Sequence, residues 1–266
     1  MKSQHVALLL LLTVLVLVNS RPINAQSKSS ATSETDALSA QERDLLNEIN
    51  DARAHPDVYV SYLQKLQPMF TGKEYQRTGH PALITEEGWL AVEDAIKFLQ
   101  TLKPLPPLRF SQGLYLAAQS HVKDQSFSGG LGHKGSDNTL IEQRVKQYGV
   151  WQGGIGENIT YGDDSARERI LTWLIDDGFP SRGHRRRLLS TDYHVAGISC
   201  GSHPEFSVMC VLTLAGGFTD MGSTSANSSQ PSTTATTPVT KTAGSTKPAT
   251  TQPSKTKAAN PKARKF

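Results

Sequence analysis

From residue 222 onward the chain holds almost no large apolar side chain, being built of Ser, Thr, Pro, Ala and Lys in phrases such as TTPVT, STKPATTQP and KTK. Such a segment cannot bury enough surface to offset the entropy of ordering it, so residues 222–266 are expected to be a disordered tail. At the other end, residues 8–18 read LLLLLTVLVLV, an apolar run of 11 residues preceded by Lys2 and His5. That run is too short to span a bilayer and has the length of a secretory signal's hydrophobic core. Residues 1–25 are therefore read as a signal peptide, cleaved after Ser20 or after Ala25, and the protein as exported to the extracellular side. The fold must be made from residues 36–221, enough for one domain with a real core. No transmembrane anchor is expected, and the charged last residues argue against a lipid anchor of the GPI type.

The formal charge of +4 belongs to the tail. Of 28 Lys and Arg, 2 fall in residues 1–25 and 7 in residues 222–266, while all 24 acidic residues lie between, leaving residues 26–221 at 19 − 24 = −5. No nucleic-acid surface is expected on the globular part. The Lys-rich tail suits an anionic cell-wall or matrix polysaccharide, and its Thr and Pro content suits an O-glycosylated stalk. Asn227 heads an N-S-S sequon there and is the expected glycosylation site. Asn158 also heads a sequon, but within GENI, where it is expected to be buried and unmodified.

Ser39 followed by Glu42 forms a capping-box pattern that opens a helix through LLNEINDARAH, stopped at Pro56. Residues 57–67 and 86–102 predict two further amphipathic helices, and Ser111 caps a helix through GLYLAAQSHVKDQS. GGLGHKGSDN is a glycine-rich loop, TLIEQRVKQYG a short helix, and IGENITYG a strand with Ile155, Ile159 and Tyr161 on one face. A helix over 165–176 follows, then two strand-like runs, HVAGISCG and SVMCVLTLAGG. The order describes an α+β fold rather than a doubly wound parallel sheet. Cys200 and Cys210 lie at equal distances from residue 205, which sets them opposite each other in a hairpin. A cross-strand disulfide, or failing that two buried thiols, makes them structural.

Chemistry concentrates in SHVKDQSFSGGLGHKGSD, GIGENITYG and WLIDDGFPSRGHRRRLL. His133 and His184, with Glu157 between them in a strand, form a three-ligand constellation for a divalent, zinc-like ion with an open position. The same groups allow a hydrolase reading, in which Glu157 is general base on an oriented water and the imidazoles polarise a carbonyl. His121 reads as a histidine bonded to backbone or as a support for the cleft. Arg182 and Arg185–Arg187 read as a solvated helix end, or as a source of one arginine that neutralises an acidic cleft or meets an anionic head group.

The order of AAQSH in a helix, then GH, GENI, a Trp-containing helix and GHR resembles the CAP superfamily, over roughly residues 40–218. That group includes cysteine-rich secretory proteins, venom antigens and pathogenesis-related plant proteins. GHKGSDNTLIEQRVKQYG and DDGFPSRGHRRRLL are similar to stretches of its bacterial-type branch. The resemblance implies an α-β-α sandwich with a central antiparallel sheet, a cleft of two His and two acids, and divalent metal in that cleft. In several branches it also implies lipid or sterol binding on other surfaces. Carried over by motif, the cleft holds His133, Glu157, His184 and Asp176, with Asp in place of the usual Glu reaching the cleft only through water. Asp177 and Arg185 stand beside it. On this basis the chain is expected to bind rather than to catalyse, in extracellular signalling or defence.

Overall fold

A computed structural model describes residues 34–77 and 79–221. The segment read as a signal peptide, the tail and Asn227 lie outside the described residues. Seven α-helices, two short 3-10 helices and seven strands occur among the described residues. Helices α1 (Ala40–Ala54) and α2 (Pro56–Gln64) come first. Three two-residue strands, β1 (Phe70–Thr71), β2 (Glu74–Tyr75) and β3 (Leu83–Ile84), precede α3 (Trp89–Thr101). Then come β4 (Arg109–Phe110), α4 (Gln112–Ser128), α5 (Ile141–Lys146) and β5 (Gly149–Tyr161). Helices α6 (Ala166–Ile175) and α7 (Gly183–Leu188) lead to β6 (Val195–His203) and β7 (Ser207–Asp220). No helix among the described residues is long and apolar enough to cross a membrane.

Local chemistry starts and stops these elements as expected. Ser39 and Glu42 form a reciprocal capping box at α1, and Ser165 with Glu168 repeats it at α6. Pro56 ends α1 and also opens α2 from a first-turn position, where its missing N–H costs nothing. Gly129, with φ 68°, ends α4 in the left-handed conformation.

The main sheet has the order β4-β6-β7-β5. Its three long strands are antiparallel, whereas β4 joins β6 in parallel over two residues only. The sheet is covered on both faces. Leu114, Ala117, Ala118 and Val122 of α4 pack on Ile159, Val195, Val211 and Ala215. Leu45, Ile49, Ala95, Trp173 and Leu174, from α1, α3 and α6, pack on Ala196, Ile198, Leu212 and Leu214 of the opposite face. This is the α-β-α sandwich, and the fold is α+β. Helix α4 lies so close to β6 that a side chain at Gly197 would meet the backbone of Leu114 and Tyr115. The same closeness recurs at Gly201, beside Val122.

Cys200 and Cys210 are direct partners across β6 and β7 and are joined by a disulfide. Their Cα atoms are 4.1 Å apart, the spacing of a non-hydrogen-bonded pair, so the Cys200 N–H points away from β7 toward the open side of β6. There it donates to Glu42 Oε1 at 2.9 Å. A groove of about 790 Å³ runs along this edge, with Leu38, Glu42, Tyr115 and Val122 among its walls and Phe127, 95% exposed, at its rim.

Candidate functional site

The opposite edge of the sheet, strand β5, carries Glu157, one of the residues singled out by their chemistry. Successive residues of a strand point to opposite faces. Glu157 therefore joins Ile155, Ile159 and Tyr161 on the α4 face, while Asn158 points to the face covered by α6 and α7.

Glu157 is 4% exposed, and both its oxygens accept hydrogen bonds. Oε1 takes His133 Nδ1 at 2.9 Å, and Oε2 takes Arg144 Nη2 at 2.7 Å. Burial alone would raise this carboxyl. The bond from His133 and the charge of Arg144 outweigh that effect and hold it below the usual carboxylate range. Arg144 also donates to the carbonyl of His133 at 3.1 Å and to that of Thr139 at 3.3 Å, so one guanidinium fixes both the acid and the loop facing it.

A second layer holds the histidine loop. His121 is fully buried, and its Nε2 meets the Gly132 carbonyl at 2.8 Å. Since a carbonyl only accepts, Nε2 carries the proton. Burial lowers the pKa of this ring, keeping it neutral. Gln125 Nε2 donates to the same carbonyl at 2.6 Å, and the Gly132 N–H donates to Tyr161 Oη at 2.8 Å. His121 is thus a fully buried support bonded to backbone.

On the other face, α6 ends at Asp176 with φ 54° and ψ 42°, a left-handed position that Asp tolerates better than most residues. This turn aims a fully buried carboxylate at α7. Asp176 Oδ1 accepts from His184 Nδ1 at 2.7 Å, and Oδ2 accepts the His184 N–H at 2.8 Å. The contact is direct. The sequence expectation was that this shorter acid reaches the cleft only through water; the bond it makes to His184 is direct, from a residue in the left-handed conformation. Phe179 lies edge-on to the His184 ring at 5.3 Å. Asn158, buried as expected, joins β5 to α7 by donating to the His184 carbonyl at 2.9 Å.

The four side chains therefore form two imidazole–carboxylate pairs, one built on Glu157 of β5 and one on Asp176 at the end of α6, with Asn158, next to Glu157, bonded to the His184 carbonyl. Neither the groove beside β6 nor a smaller cavity of about 150 Å³ under His121, Asp124 and Arg144 is lined by His133, Glu157, Asp176 or His184. No three His, Cys, Asp or Glu side chains are grouped to hold a metal ion among the described residues. Both oxygens of Glu157 and of Asp176 are already taken, so within this set only the two imidazole Nε2 atoms remain as donors. Each His presents Nε2, which makes no protein hydrogen bond among the described residues, and the carboxylates occupy the outer positions that orient such ligands.

Asp177 and Arg185 are structural. Asp177 accepts the N–H groups of Glu86 and Glu87 at 2.6 and 2.8 Å, docking the segment before α3. Arg185 is buried and donates to the carbonyls of Leu174 and Ile175 and to Asp94, closing the C-terminal end of α6. Arg182 is paired with Glu87 and Asp94. The solvated-helix-end reading is thus corrected for both arginines. Arg144 is the residue of this site not singled out from sequence. Its signal was the arginine of the HKGSD…R…G phrase, which a reading confined to His and carboxylates passes over.

The model of the CAP, or cysteine-rich secretory protein, family matches residues 46–214. The chain belongs to the CAP family. Among curated proteins, none matches this CAP chain significantly. Solved structures similar to it include an extracellular protein containing an SCP domain from Bacillus anthracis, at 21% identity and a TM-score of 0.34. That likeness covers 42% of this chain and 34% of the other. An outer surface protein from Borrelia burgdorferi is 20% identical with a TM-score of 0.36, over 47% of this chain and 88% of that one. A cysteine-rich secretory protein from Staphylococcus aureus is 16% identical with a TM-score of 0.32, over 58% and 48% of the two chains.

Proposed function

We propose that this chain is an exported CAP-domain binding protein whose ligand meets the Nε2 edges of His133 and His184. One observation carries the reading: each ring is held at Nδ1 by a buried carboxylate, which fixes its tautomer and leaves the other nitrogen to a ligand. A divalent ion such as zinc would be held by these two nitrogens and would supply Lewis acidity and sites for exogenous ligands. The protein's own part is to orient the rings. For a lipid or sterol, the apolar walls of the groove beside β6 offer a separate surface. Export is supported by the apolar run at residues 8–18 and by the disulfide, a bond that forms and persists mainly in oxidising compartments. The basic tail would hold anionic wall or matrix polysaccharide.

A hydrolase built on Glu157 is the weaker reading. Both oxygens of Glu157 already accept from strong donors, and its depressed carboxyl is a poor proton acceptor at neutral pH. Zinc titration of the purified chain, followed by ring-nitrogen resonances and thermal unfolding, tests the metal reading. His133 and His184 should shift and Tm should rise, with both effects lost in His184→Ala. Unchanged resonances and unchanged Tm at saturating zinc would count against it.

A further inference from the structure

Arg187 differs from the committed arginines beside it. Arg182 is taken up by Glu87, Asp94 and the carbonyls of Asp176 and Phe179. Arg185 is taken up by Asp94 and the end of α6. The Arg187 side chain is partly buried, yet its guanidinium makes no hydrogen bond and no ion pair among the described residues. Two glycines set its course. A side chain at Gly156 would lie 3.2 Å from Arg187 Cδ and 2.6 Å from Tyr193 Oη. One at Gly183 would lie 3.3 Å from Arg187 Nη1. Gly156 directly precedes Glu157, and Gly183 directly precedes His184. The guanidinium thus runs between the two backbones that carry the imidazole pairs, which Asn158 ties together at 2.9 Å. Neither site carboxylate answers its charge, since Glu157 is committed to His133 and Arg144, and Asp176 to His184.

We propose that Arg187 is the receptor for an oxyanion, the phosphate or carboxylate group of the ligand bound at this edge. The proposal rests on the reading of that edge as a binding site and names the chemistry of what it binds. A planar guanidinium with several free N–H groups matches either anion in a two-pronged contact that a point charge cannot reproduce. Glycine at 156 and 183 keeps the path of the side chain open, since a Cβ at either position would crowd it. A free anion and a lipid head group share this chemistry.

The test uses the full chain freed of metal on a chelating resin. Inorganic phosphate and butyrate are titrated separately while the Arg187 side-chain N–H and His184 ring resonances are followed. At least one anion should give a saturable shift that weakens with added NaCl. Arg187→Gln should weaken binding about tenfold or more, as expected for lost charge-assisted hydrogen bonds. Arg187→Lys, with unchanged Tm, should retain part of it. Co-sedimentation with phosphatidylcholine vesicles, with and without phosphatidate, assigns the source. Arg187-dependent retention by phosphatidate points to a head group, and anion binding without retention points to a soluble ligand. No saturable shift with either anion, or equal affinity in Arg187→Gln, overturns the proposal. The metal reading fails separately: an Arg187-dependent anion response with no zinc response removes the metal and leaves the oxyanion receptor standing.

Discussion

Replacing Arg144 by Met would isolate a buried charge. Arg144 and Glu157 are 2.7 Å apart, with side chains 5% and 3% exposed. Removing one partner of such a pair costs about 3–5 kcal/mol, because the remaining ion can neither reach water nor find another counter-ion. His133 still donates to Oε1, which places the expected loss near the lower end, about 3 kcal/mol. For a domain of this size that corresponds to a fall in Tm of roughly 6–12 °C. The pH dependence gives the argument its sign. In the native chain Glu157 titrates below its ordinary value of 4.5, so its ionised form adds stability above that pH, lost as pH falls through the folded value. Without Arg144, burial pushes the carboxyl upward, and the variant's deficit should narrow as Glu157 takes up a proton. Urea unfolding at pH 7 and pH 5 measures both effects. Adding Glu157→Gln to Arg144→Met should recover at least about 1 kcal/mol at pH 7 by removing the stranded charge. A cost below about 1 kcal/mol at pH 7, with no narrowing at pH 5 and no rescue, would refute the reasoning.

Other consequences follow from the same structure. Replacing both Cys200 and Cys210 by Ser opens a loop with a sequence separation of 10 and should lower stability by about 3 kcal/mol in denaturant titrations. Gly197→Ala forces α4 away from β6 and should cost about 3 kcal/mol or more, seen as a loss of soluble yield and of Tm. His121 is buried neutral, with a folded pKa below its ordinary 6.5, so stability should fall as pH drops below that value; His121→Gln should flatten this part of the pH profile.

The fold was legible wherever a short-range rule acts alone. Ser39 with Glu42 announced α1, Ser111 announced α4, and the symmetric placing of Cys200 and Cys210 gave the hairpin and its register. Strands β1 to β3 and β4 escaped, because two-residue strands have no periodicity to detect and exist only through their partners. At the site, motif order located the residues that pair as His133–Glu157 and His184–Asp176. Which acid meets which imidazole depends on the strand parity of Glu157 and on the left-handed turn at Asp176, which the residue types alone did not announce. The burial of Arg144 and Arg185 was illegible for the same reason. A charged side chain reads as solvated until the tertiary structure brings acceptors around it.

A strand border left bare is a template on which another molecule's strand can assemble. On this domain the border in question is β6, whose neighbour β4 covers only two of its residues. Glu42 occupies the Cys200 N–H from one bank, and the Ser126 hydroxyl occupies the Ser202 carbonyl from the other. The glutamate of the α1 capping box thus also acts as a gatekeeper, denying this flank to passing chains and discouraging one copy from stitching itself to the next.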